Sequence, residues 1–235
     1  MKNIFFLMSL AVASFTMTSC SDDESEGKSR ITYYPTIELK GSDFVVTEKG
    51  KSFVDPGYVS IMAGEDVSDK VTVTGNLDIN KSGLYTLTYS TAKNSDGFGA
   101  SATRTVLVAD PNDPTEGVFI NQASGTRVYN GNTVAYGRDF RVVVINNGNG
   151  TFTVDDLFGG WYCQRAGYGE KYAMGGVIAI DGDGNVSLVQ SKIPGWGDSL
   201  DGLTGTFDAA TSTYSLVAVY NGNTMFFNQT WVKQQ

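Results

Sequence analysis

From Ile31 onward, no stretch of this 235-residue chain keeps a helical period over three turns. Short runs that alternate apolar and polar side chains take its place, punctuated by Gly, Asn and Asp. In Leu84–Tyr85–Thr86–Leu87–Thr88–Tyr89, residues Tyr85, Leu87 and Tyr89 fall on one face, and Leu84 and the threonines on the other. Lys70–Thr74 and Thr105–Val108 repeat that period of two, with Asp96–Gly97–Phe98–Gly99 as a hairpin connection before the latter. A period of two puts successive side chains on opposite faces of a sheet, so the expected class is all-β.

The run Asp110–Pro111–Asn112–Asp113–Pro114 neither extends a sheet nor starts a core, so residues 110–114 read as a stiff linker. It separates a first β domain, 31–109, from a second, 115–235. In the second, strands are expected at Arg127–Asn130, Arg138–Asn146, Thr151–Val154, Gly176–Ile180, Val186–Gln190, Thr204–Asp208, Tyr214–Tyr220 and Thr224–Val232. Turn signals at Asn147–Gly148, Asp183–Gly184 and Asn221–Gly222 separate them. About eight antiparallel strands suit a larger sandwich or a small β-barrel.

Composition narrows the chemistry. The chain has no histidine, which removes serine–histidine and cysteine–histidine catalysis and imidazole metal ligation. With 17 Lys and Arg against 25 Asp and Glu, a nucleic-acid partner is not expected. No cofactor or metal is expected either.

Lys2 precedes an apolar run from Ile4 to Val12 that continues to Met17, too short for a comfortable membrane span and suited to a signal peptide over residues 1–19. Thr18 and Ser19 then precede Cys20. Small residues before cysteine resemble a bacterial lipobox, which implies that the Cys20 thiol is acylated and inserted in outer-membrane lipid. Ser21, Asp22, Asp23 and Glu24 follow, within an acidic flexible tether over residues 20–30. This cluster resembles the export signal that sends Bacteroidetes lipoproteins to the outer face of the outer membrane. If Cys20 carries lipid, Cys163 has no disulfide partner, and in its strand-like stretch it reads as a buried structural thiol.

Phe53–Val54–Asp55–Pro56–Gly57, Gly83–Tyr89 and Thr103–Arg104–Thr105–Val106 together resemble an Ig-like domain recurrent in bacterial surface proteins. That resemblance covers residues 31–109 and implies a β-sandwich spacer or docking module, with Asp55 and Arg104 as turn and strand residues. Gly150–Leu157, Tyr172–Gly176 and Pro194–Ser199 resemble the poorly characterised all-β C-terminal domain that follows such modules in Bacteroidetes outer-surface lipoproteins. Relatives beside polysaccharide-uptake machinery suggest a context, with outer-membrane transport proteins as partners. They transfer no ligand residues.

Two carboxylates can hydrolyse a glycoside without histidine, and Asp155, Asp156, Glu170, Asp198 and Asp201 are the loop-like acids. Solvated turn acids are the plainer expectation. Asp181–Gly182–Asp183–Gly184–Asn185 begins like a calcium loop but has Val186 and Lys192 where glycine and glutamate are needed, so a β-turn accounts for it better. The aromatics are more suggestive. Trp161, Tyr162, Tyr168 and Tyr172 cluster around glycines, and Gly195 and Gly197 bracket Trp196. Flat rings stack on sugar faces, so Trp196, Asp198, Tyr168 and Trp161 form the expected ligand-binding set, although Trp161 and Trp231, on strands, also suit a core. Asp198–Ser199–Leu200 resembles a short O-glycosylation motif. The expected function is a non-catalytic surface lipoprotein that binds glycan beside an uptake system. The alternative is an adhesin or structural subunit that docks on protein; a histidine-free hydrolase ranks last.

Overall fold

Tyr89 and Leu84 show how alternation becomes burial: on one strand, Tyr89 is fully buried and Leu84 faces solvent. The computed structural model describes residues 31–234, so the expected signal peptide, Cys20 and the whole of its tether lie outside the described residues. The first domain has strands β1 (Thr36–Leu39), β2 (Phe44–Glu48), β3 (Tyr58–Met62), β4 (Glu65–Asp66), β5 (Val71–Thr74), β6 (Gly83–Thr91) and β7 (Ser101–Ala109). One sheet runs β1-β3-β4 and the other β2-β7-β6-β5. The β2–β7 pair is parallel and the other pairs in the two sheets are antiparallel.

Arg104 pins these sheets together. Its side chain is fully buried on β7. The guanidinium donates to the carbonyls of Ser42 (3.1 Å), Lys40 (2.6 Å) and Gly57 (3.2 Å) and pairs with Asp55. Lys40 and Gly57 flank β1 and β3, so one side chain of the second sheet ties down the ends of the first. The Tyr89 hydroxyl donates to the other Asp55 oxygen at 2.6 Å, and burial with that carboxylate pushes the phenol up to about 12. A buried charge is tolerated only when its donors are used in this way.

The second domain has β8 (Gly117–Asn121), β9 (Thr126–Tyr129), β10 (Asn132–Ala135), β11 (Phe140–Asn146), β12 (Thr151–Val154), β13 (Gly175–Ile180), β14 (Asn185–Lys192), β15 (Gly202–Asp208), β16 (Thr213–Tyr220) and β17 (Met225–Lys233). Eight of them close a barrel in the order β8-β11-β12-β13-β14-β15-β16-β17. Trp231, Val232 and Lys233 of β17 make the closure by pairing with Asn121, Ile120 and Phe119 of β8. The first half of β17 pairs instead with β9, which carries β10 outward as a hairpin. The choice left open between sandwich and barrel therefore resolves as a barrel. β8 and β10 were not among the expected strands.

A barrel of this size is just wide enough for side chains to fill. Residues 155–174, between β12 and β13, leave the wall and pack into the interior, burying Leu157, Phe158, Trp161 and Met174. Gly159 and Gly160 both take positive φ (58° and 87°). A Cβ on Gly159 would lie 2.1 Å from the Gln229 amide oxygen, and one on Gly160 would lie 2.6 Å from the Phe140 Cβ. The chain turns here in a way that side chains would block. Trp161–Arg165 consequently forms a π-helical turn, not the strand expected around Cys163.

The two domains share buried surface. Val143 and Ile145 point outward from β11 and, with Val118 of β8, pack on Leu107 and Ala109 of β7 and on Phe44. Arg141 covers the Phe44 ring at 3.8 Å. Glu116, 1% exposed, joins the seam: it accepts from the Ser82 hydroxyl (2.8 Å) and from the amides of Asp110 (2.7 Å) and Asn146 (2.9 Å). Substitution Glu116→Ala strands these donors and is expected to lower unfolding free energy by about 2–4 kcal/mol. Limited proteolysis should then cut within 110–114 faster than in the wild type.

Candidate functional site

Three irregular segments meet at one surface: the π-helical turn Trp161–Arg165, the 3-10 turn Glu170–Tyr172, and the loop that follows β14. Trp196 is 41% exposed and Tyr168 55%. The Trp196 ring stands 4.8 Å from Tyr162 and nearly perpendicular to it, 5.1 Å from Tyr172, and 6.4 Å from Tyr168. Tyr168, Tyr172 and Trp196 line a shallow hollow of about 260 Å³. Tyr162, half-buried, supports it from the core side through Phe158 at 5.2 Å.

The Trp196 loop is fixed by its own backbone. Ile193, fully buried, donates its amide to the Asp198 carbonyl at 2.9 Å and accepts from the Gly197 amide at 2.8 Å. Leu200 donates to the Ser191 hydroxyl at 2.8 Å, and the Ser199 hydroxyl donates to the Ser191 carbonyl at 2.8 Å. The flanking glycines have different reasons. Gly197 takes a φ of 79°, as its place beside an outward tryptophan suggests. Gly195 has no such backbone; a Cβ there would meet the Tyr172 ring at 2.5 Å, so glycine lets the loop lie flat on that ring. Asp198 is exposed and accepts the Tyr220 hydroxyl at 2.8 Å.

Trp161 is the correction within the expected set. It is 3% exposed, set against Tyr136 at 4.9 Å and Phe227 at 5.9 Å, and has no face to offer a ligand. Tyr162 and Tyr172, noticed in sequence only as part of the aromatic cluster, take its place around Trp196.

The carboxylates also need revision. Asp155 and Asp156 are not solvated turn acids. Asp156, 2% exposed, accepts the amides of Phe158 (3.0 Å), Met174 (3.0 Å) and Gly160 (3.1 Å), tying both ends of the inserted segment to one side chain. Asp155 points the other way and accepts the Val143 amide at 2.7 Å. Burial pushes Asp155 up to about 7, aided by the Asp156 charge, and pushes Asp156 up to about 6 against the pull of its three amides. Glu170 and Asp201 lie on the exposed surface, and Asp201 accepts the Asn223 amide at 3.0 Å. Asp181 folds its carboxylate onto the amides of Asp183 (3.0 Å) and Asn185 (2.8 Å), which makes a β-turn between β13 and β14. Cys163 is half-buried, and burial raises its thiol to about 11, so it carries little thiolate near neutrality.

Comparison with known proteins adds a family. A bacterial surface protein Ig-like domain matches residues 37–108, and a C-terminal domain family matches residues 108–233. Among solved structures, the lipoprotein BT2262 from Bacteroides thetaiotaomicron is 37% identical, with a TM-score of 0.75 over 85% of this chain and 100% of that one. The chain belongs to the family of that lipoprotein. No curated protein matches it. Family membership places an Ig-like module before the barrel and assigns no residue a ligand.

The two raised carboxyls set a direction for pH dependence. Between about pH 4 and 7 the folded chain holds protons that the unfolded chain releases, so their stabilisation is full at low pH and lost as pH rises through 6–7. Denaturant unfolding from pH 5 to pH 8 should show Asp155→Asn losing less stability over that range than the wild type.

Proposed function

We propose that the chain is a non-catalytic surface lipoprotein, anchored in the outer membrane through acylated Cys20, that binds glycan at the Trp196 patch beside a polysaccharide-uptake system. The observation that carries this reading is a partly exposed tryptophan held rigidly among three tyrosines. Rings fixed before binding lose little entropy when a ligand arrives. The ring planes are far from parallel, with Tyr168 and Tyr172 at 86° and 58° to Trp196. Such a hollow favours one sugar residue of a soluble, bent chain over the flat face of a crystalline polymer. Asp198 and the Tyr220 hydroxyl beside it supply hydrogen-bonding groups for sugar hydroxyls.

A second reading, docking on protein as an adhesin or partner subunit, draws on a different place. A groove of about 810 Å³ runs along the domain seam, lined in part by Val46, Pro111, Ser212 and Val232. Val46 is 52% exposed on the edge strand β2.

Trp196→Ala separates the two. On a glycan array it should weaken binding by about 1–3 kcal/mol and change unfolding free energy by only about 1 kcal/mol, since much of the ring is already in solvent. Retained binding to a confirmed glycan sinks the patch as the site. The anchor has its own test: a palmitate analogue should label the wild type in cells and leave Cys20→Ala unlabelled.

A further inference from the structure

The cations around the patch have no acidic partners. Among the described residues the ion pairs are Lys51–Glu48 and Arg104–Asp55, both in the first domain. Arg127, on β9, and Arg165, closing the π-helical turn, both lie against the Trp161 ring, at 4.9 Å and 4.2 Å. Two like charges thus share one indole with no carboxylate paired to either. Arg165 places its Nε on the Tyr136 carbonyl at 3.0 Å and is otherwise exposed, whereas the buried Arg127 Nε has no hydrogen-bond partner. Arg127 also stands beside the hydroxyl of Tyr162, the ring on which Trp196 rests. At the hollow itself, the exposed Lys171 ammonium lies 5.1 Å from the Tyr172 ring, and Lys192 donates to the Gly197 carbonyl next to Trp196.

Acids are present nearby as well: Glu170 is exposed, and Asp198 and Asp201 keep their charge while accepting from the Tyr220 hydroxyl and the Asn223 amide. Against a whole-chain balance of −8, two guanidiniums share the Trp161 ring that adjoins Tyr162, and two ammoniums lie beside Tyr172 and Gly197. Guanidinium is suited to carboxylate and sulfate because its donors form a planar fork, and one anion can accept from two neighbouring forks at once.

We propose that the patch takes an anionic polysaccharide: a sugar ring stacks on Trp196 and Tyr168 while a carboxylate or sulfate of the same chain is held by Arg127 and Arg165. The inference rests on the glycan reading above and narrows its ligand class. Lys171, beside Tyr172, and Lys192, beside Gly197, attract the same polymer, and that attraction weakens with salt.

The test is retention of the full chain on immobilised polymers in two sets. The acidic set is polygalacturonate, alginate, chondroitin sulfate and heparin; the neutral set is amylopectin, xylan and galactomannan. At least one acidic polymer should bind, and its carboxyl-reduced or desulfated form should bind at least tenfold more weakly. Uronate-only and sulfated polymers within the set show which anion is recognised. Trp196→Ala and Arg165→Gln should each weaken that binding at least fivefold, with the fold of each variant checked by its circular-dichroism spectrum. Trp196-dependent binding to neutral polymers alone overturns the anionic inference and leaves the glycan reading standing. Retention on acidic polymers that ignores Trp196→Ala overturns the inference, because it reports only diffuse charge attraction. Retention by neither set overturns both.

Discussion

Three backbone amides converge on the Asp156 carboxylate, from Phe158, Gly160 and Met174. An ion inside a barrel is expensive to desolvate, and here those amides offset much of that penalty. They belong to both ends of the segment that enters the barrel, so one side chain closes a loop that would otherwise have many conformations. Once that loop is closed, Gly159 and Gly160 turn the chain, Trp161 wedges against Phe227 and Tyr136, and Tyr162 emerges with its ring toward Trp196. The patch consists of irregular backbone, yet its rings are placed by the barrel interior. Loops that carry function on a rigid scaffold are commonly built this way.

Much of the fold was legible because period two survives wherever one face is wet. Tyr85, Leu87 and Tyr89 on β6 are the plainest case. Alternation fades where both faces are covered: β11 reads Val142–Val143–Val144–Ile145 because Val142 and Val144 face the barrel core and Val143 and Ile145 face the Ig-like domain. β8 escaped notice for a related reason, since Val118–Phe119–Ile120 is short and flanked by Gly117 and Asn121. Trp161–Tyr162–Cys163 carries strand-forming residues, and what overrides them is the two-glycine turn just before.

The site was legible in type and less so in membership. Trp196 and Tyr168 announced themselves through their neighbours in sequence. The burial of Trp161 and of the two aspartates depends on contacts many residues away: Asp155 with Val143, and Trp161 with Tyr136 and Phe227. Local patterning cannot report such contacts. Arg104 is similar; its acceptors at Lys40, Ser42 and Asp55 precede it by 64, 62 and 49 residues.

The seam at Glu116 has a hydrodynamic meaning. Had Asp110–Pro114 been a free swivel, the barrel would tumble largely on its own and present the patch over a wide cone of directions. With Glu116 bonded on three sides and Leu107, Ala109 and Phe44 packed on the barrel wall, the Ig-like domain and the barrel reorient as one particle. Rotational correlation times measured in either domain would then coincide, at the slower value set by the combined body. A ligand arriving at Trp196 meets a surface whose direction relative to the Ig-like sheets has already been chosen.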